Sequence, residues 1–110
     1  MPEDRLKTPE VEDLLAALAS LESREEAYAL LLDLCTIREI QDMAQRLHVA
    51  RLLAAGEHYT HIQEITGASA TTISRVNKCL NYGADGYRTV LARLWPNNAK
   101  SADAGREAGE

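Results

Sequence analysis

Ala70, Thr71, Thr72, Arg75 and Lys78 fall within nine consecutive residues and are small, hydroxylated or basic. Side chains of these types approach phosphate oxygens and the edges of nucleic-acid bases. An alanine or threonine methyl packs on a thymine methyl, and each good base contact is worth about 1–3 kcal/mol of discrimination. Arg75 and Lys78 can meet phosphates, and so can backbone N–H groups near Thr60 and Ser69, because helix starts bind anions. The chemistry expected of this stretch is binding to double-stranded DNA, with Ala70, Thr71 and Thr72 meeting base edges.

Two short helices and a tight turn must hold these groups in place. The run YTHIQEITGASATTISRVNKCL, Tyr59 to Leu80, supplies them. Ile62 and Ile65 give the first helix an apolar side, and Gly67 breaks it. Ser69 can cap the second, along whose buried face Ile73, Val76 and Leu80 recur at three- and four-residue spacing. The pattern is that of a helix-turn-helix.

At 110 residues the chain is about one domain long. With no Phe, one Trp and four Tyr, its core must come from Leu, Ile, Val and Ala, which favours an all-α domain. A net charge of −5 would repel phosphates if it were spread evenly. It is not: residues 1–50 carry five Lys/Arg against eleven Asp/Glu, whereas residues 51–100 carry six against three. The helix-turn-helix half is basic, and the acid lies elsewhere.

Upstream, Thr8-Pro9-Glu10 opens a first helix striped by Val11, Leu14, Leu15 and Leu18. Ser23 and Glu26 form a capping-box pattern before AYALLLDLC, where Tyr28, Leu31, Leu32 and Cys35 align and Leu30 and Leu34 widen the line. That helix is apolar over more than half its girth. It packs either on a local core plus a partner subunit, or as a central helix among its own neighbours. Thr36 and Glu39 repeat the capping box and start a third helix, on which Ile37, Ile40, Met43, Ala44, Leu47, Ala50 and Leu53 or Ala54 hold the period until Gly56. After Leu80, NYGADG is a turn. Asp85 can cap a last helix anchored by Tyr87, Val90, Leu91, Leu94 and Trp95, which Pro96 stops. The organisation expected is a flexible N-terminus over 1–8, one helical domain over 9–95 and a disordered polar tail over 96–110.

The strings TIREIQDMAQRLHVARLLAAG and ITGASATTISRVNKCLNYG resemble the Trp repressor superfamily, and more closely its TrpR-like YerC/YecD branch. The resemblance covers about residues 10–95. It implies a six-helix fold, an intertwined homodimer, and a sequence-specific transcriptional regulator, a repressor, on a roughly palindromic operator. It also implies an effector pocket between the third helix and the recognition helix, with Arg46 and Arg75 as its arginines and Thr36 near the partner's side. Trp repressor carries glycine directly after its recognition-helix arginine, where this chain has Val76. A β-branched side chain intrudes where an indole would slide, so tryptophan is not carried over, and another small molecule or none remains open. Arg75 thus has three readings: phosphate, ligand pocket, or a pair with Glu64. A protein-interaction module that kept the fold and lost DNA binding is the alternative function.

Other chemistries find little support. His58 and His61 are spaced for one metal ion on a helix, but no third ligand lies near them and a surface role is the simpler reading; no metal or cofactor is expected. His48 is a boundary residue. Cys35 and Cys79 read as buried free thiols. There is no phosphate loop and no nucleophile with an evident base, so an enzyme is not expected. No segment reaches the about twenty apolar residues of a membrane span and the N-terminus has no signal-peptide core, which points to a cytoplasmic protein.

Overall fold

Four of the six helices start where a side chain satisfies an N–H group that a helix start leaves unpaired. The structure, a computed structural model, describes residues 5–97, and all its regular elements are helical. In α1 (Pro9–Ala19) the Thr8 Oγ1 accepts from Val11 N–H at 3.2 Å, with Pro9 at the first helical position. In α2 (Arg24–Leu34) the Ser23 Oγ accepts from Glu26 N–H at 3.1 Å. The Glu26 carboxylate returns to Glu22 N–H at 3.0 Å, one residue before the usual position. The box that opens α3 (Ile37–Ala54) is reciprocal: Glu39 N–H donates to Thr36 Oγ1 at 3.1 Å, and Thr36 N–H donates to Glu39 Oε1 at 2.7 Å. These bonds hold the Glu39 carboxyl below its ordinary value, the backbone bond from Thr36 contributing most.

Downstream, α4 (Tyr59–Thr66) ends on Gly67 at φ +73°, a left-handed position that glycine takes without strain. Ser69 Oγ accepts from Thr72 N–H at 3.1 Å and opens α5 (Ala70–Tyr82). At Gly83 a Cβ would collide with the Cys79 carbonyl, so the chain can leave α5 closely only through glycine. The last helix, α6 (Gly86–Leu94), differs from expectation at its start. Asp85 occupies the cap position in a left-handed conformation, φ +68°, and its carboxylate makes no capping bond. The tie between α5 and α6 comes instead from Arg88, whose Nε donates to the Leu80 carbonyl at 2.8 Å. That bond satisfies a carbonyl in the last turn of α5.

The chain divides into two compact units, Met1–Ile40 and Gln41–Glu110, with the boundary early in α3. In the first unit, α1 and α2 contain no buried residue, and Leu14, Leu15, Leu18, Leu32 and Leu34 are exposed. The second unit contains the core: Val49, Ala50, Leu53, Ile62, Ala68, Ile73, Val76, Leu80 and Leu91, with Tyr87 and Trp95 packed against it. Val49, Ile62 and Ile73 are fully buried, each worth about 1.5–3 kcal/mol of transfer. The Arg51 guanidinium lies 4.1 Å from the centre of the Trp95 ring and closes one edge of the core.

Several packing expectations are corrected. On α3 the core side is Val49, Ala50 and Leu53; Ala50 and Leu53 belong to the expected line, but its earlier members Ile37, Ile40, Met43 and Ala44 are centred roughly two-fifths of a turn away. Ile37 is 72% exposed, and Met43 is exposed too. Cys79 is also exposed and Cys35 only partly covered; both are free thiols. The reason at Cys79 is angular: Ile73, Val76 and Leu80 already fill the inward face of α5, and residue 79 falls on its flank. On α6, Leu91 is buried but Val90 and Leu94 are exposed. Residues 1–4 and 98–110 lie outside the described residues, and with them half of the expected flexible N-terminus and most of the expected polar tail.

Candidate nucleic-acid interface

α4 and α5 form the helix-turn-helix. Its turn, Thr66 to Ser69, is braced from within: Thr66 Oγ1 donates to the Ile62 carbonyl at 2.7 Å and accepts from Ala68 N–H at 3.1 Å. Ala68 is buried beneath it. Ile73, Val76 and Leu80 anchor α5 inward, and helical geometry then turns Thr71, Arg75 and Lys78 outward. All three are exposed, as are Ala70 at the helix start and Thr60 on α4.

Two expected members do more than face outward. The Ser69 hydroxyl accepts from Thr72 N–H and donates to Thr72 Oγ1 at 3.1 Å. Both hydroxyls are therefore engaged in the cap, and Thr72 is half-buried. With Thr72 N–H held by the Ser69 side chain and Ile73 N–H by the Ser69 carbonyl, the remaining N–H groups of the first turn are those of Ala70 and Thr71. They suit an external anion. Sequence reasoning passed over Ser74. It is exposed and lies three residues after Thr71 and four before Lys78, a spacing that puts it on their face.

Arg46 and Arg75 come together. With Asp42, Gln45 and Thr72 they line a cavity of about 220 Å³ between α3 and α5. Its lining is polar and doubly cationic, with one carboxylate. Val76 is not on its wall; it is 2% exposed and belongs to the core. Thr36 belongs to the first unit, where its hydroxyl caps α3. Arg75 and Glu64 make no ion pair among the described residues. His61 pairs with Glu57, Nδ1 to Oε2 at 2.6 Å, and His58 takes the α4 cap position without a side-chain bond. Among the described residues no three His, Cys, Asp or Glu side chains are placed to hold a metal ion. None of their helices is long and apolar enough to cross a membrane.

Comparison with known proteins agrees with this geometry. A family model described as Trp repressor protein matches residues 9–95. The chain is 48% identical over 99 residues to the uncharacterized protein YerC of Bacillus subtilis (strain 168), covering 90% of this chain and 95% of that one. Among solved structures it is similar to a candidate Trp repressor from Staphylococcus aureus, with a TM-score of 0.80 and 41% identity over 86% of this chain and 94% of the other. It is also similar to a TrpR-like protein from Eubacterium eligens ATCC 27750, with a TM-score of 0.79 and 50% identity over 83% and 94%. Six helices in this order, a helix-turn-helix at the fourth and fifth, and a match across nearly all the described residues place the chain in one lineage: it belongs to the Trp repressor family.

Proposed function

We propose that the chain is a sequence-specific DNA-binding transcriptional regulator, a repressor rather than an enzyme, acting in the cytoplasm as a homodimer on a roughly palindromic operator. The observation that carries this reading is the outward face of α5. Thr71, Ser74, Arg75 and Lys78 stand opposite its buried anchors, and Ala70 and Thr71 sit at a helix start able to receive phosphate. In this reading Thr60, Ser69, Arg75 and Lys78 serve the backbone, while Ala70, Thr71 and Thr72 serve the base edges.

The dimer is proposed from the first unit. Its two helices bury no residue and leave five leucines exposed, a surface that a second copy of the same chain would cover. Light scattering at micromolar concentration should return about twice the 12.1 kDa chain mass; a monomer mass refutes this part. A small-molecule effector carrying an anionic group fits the cavity that Arg46 and Arg75 both line; with Val76 in the core and off that wall, its side chain no longer argues against tryptophan.

The test is selection of bound sequences from a random DNA library, with and without a metabolite mixture. A two-fold symmetric motif is the expected result. Arg75→Ala and Lys78→Ala should each weaken binding to all sequences and lower the dependence of log K on log salt by about one. Binding no better than to random DNA at low salt would refute the reading. It would then favour a protein-interaction module, in line with the acid concentrated in residues 1–50.

A further inference from the structure

Gln45, on α3, reaches the turn of the helix-turn-helix. Its Nε2 donates to the Thr66 carbonyl at 3.1 Å, across 21 positions of sequence and in a partly buried setting. Thr66 is the last residue of α4, where carbonyls lack an intrahelical donor. Gly67 N–H goes to Gln63, and the Thr66 hydroxyl is already committed to Ile62 and Ala68. The carbonyl that Gln45 receives is therefore one the helix cannot satisfy by itself.

The turn between α4 and α5 is braced by its own hydrogen bonds, so the Gln45 bond bears on the angle of the pair to α3. Core contacts between Val49, Ala50 and Leu53 on one side and Ile62, Ile73 and Val76 on the other supply burial. Apolar burial is non-directional. A hydrogen bond at a partly buried carbonyl has a preferred distance and angle, and Gln45 stands where that matters. It forms wall on the cavity between α3 and α5 and also on a second cavity of about 410 Å³ between α3 and α4, beside His48 and Ile65. Both spaces are open toward solvent, and Gln45 stands on the wall of each.

We infer that Gln45 is a positioning residue: its bond to the Thr66 carbonyl fixes the angle at which α5 is presented. The inference rests on the DNA-binding reading for its functional consequence but not for its structural one. The experiment separates them. Gln45→Met removes the donor at similar length, and Gln45→Glu keeps the shape but offers only an acceptor while ionised. Each is measured for thermal unfolding, for affinity to the selected operator and to a scrambled duplex, and for the relative orientation of α3 and α5 by residual dipolar couplings without DNA.

Gln45→Met should keep the wild-type salt slope and scrambled-DNA affinity while losing roughly three- to tenfold in operator affinity, the range of one net hydrogen bond; Gln45→Glu adds a carboxylate beside Arg46 and Arg75, so it should weaken scrambled binding as well and operator binding more. The Gln45→Glu loss should shrink relative to wild type as pH falls toward 4–5 and the carboxyl regains a proton to donate. An unchanged operator-to-scrambled ratio overturns the inference, and so does a loss of both affinities in step with melting temperature. Should wild type itself not discriminate between duplexes, the DNA reading fails, and the couplings alone decide: α5 in Gln45→Met should lose its fixed orientation to α3, and an unchanged orientation overturns the inference.

Discussion

Replacing Val76 tests its placement in the core rather than on the wall of an effector pocket. The side chain is 2% exposed and packs in the core between α3 and α5, off the wall of the Arg46–Arg75 cavity. Val76→Gly forfeits about 1.5–3 kcal/mol of buried side chain and about 1 kcal/mol more for glycine inside a helix, roughly 2.5–4 kcal/mol together. Val76→Ala should cost about 1.5–2.5 kcal/mol, two methyl groups plus an incompletely collapsed void. At about 4 °C per kcal/mol for a domain of this size, melting should fall by roughly 10–16 °C for glycine and 6–10 °C for alanine. Thermal unfolding followed by circular dichroism reads both, at one fixed protein concentration because association would shift the midpoint. Calorimetry with tryptophan should show no binding to either variant, since the void opens into the core. A Val76→Gly protein that melts within about 2 °C of wild type and has gained affinity for tryptophan would refute the placement of this residue.

Three further outcomes follow from local geometry. Gly83→Ala should destabilise far more than Gly67→Ala. The former drives a Cβ into the Cys79 carbonyl, whereas the latter meets no neighbour and costs only the left-handed conformation, about 1–2 kcal/mol; equal losses in urea melts would contradict this. Ser69→Ala should cost about 1 kcal/mol by removing the cap of α5 and should weaken DNA binding as well, whereas a stable variant with intact binding would deny the cap its role. Glu39 titrates below its ordinary 4.5 because Thr36 donates to it. Its contribution is therefore present above that pH and is lost as pH falls through the lowered value. The stability advantage of wild type over Glu39→Gln should close below about pH 4.5, and a pH-independent gap would refute the linkage.

Much of this was legible because it is local. Thr8, Ser23, Thr36 and Ser69 announce helix starts within three residues of themselves, and Gly67 announces an end. Ile73, Val76 and Leu80 are readable as the inward side of α5 because one short helix has one core to face. What failed is not local. The stripe of α3 through Ile37 and Met43 is periodic, but periodicity does not say what covers a face, and the covered side begins at Val49. Asp85 has a capping residue's chemistry and the wrong backbone conformation to use it. Gln45 was invisible as a positioning residue because its partner lies 21 positions away and nothing in glutamine's type specifies a distant carbonyl. Arg46 and Arg75 were paired through the family resemblance rather than spacing, and the structure sets them on one cavity.

Burial confined to residues 49–91 bears on the order in which the chain acquires its shape. Among the described residues the second unit has its own apolar centre and the first has none, so on the proposed dimer the two should consolidate by different kinetics. Trp95, the sole tryptophan, reports on the head through Arg51 and should recover at a rate independent of protein concentration. Tyr28, exposed on α2, waits on an encounter, and its burial should slow in proportion as the protein is diluted. On the proposed function, a newly made chain would thus complete its DNA-reading unit before it has found the copy with which to measure an operator.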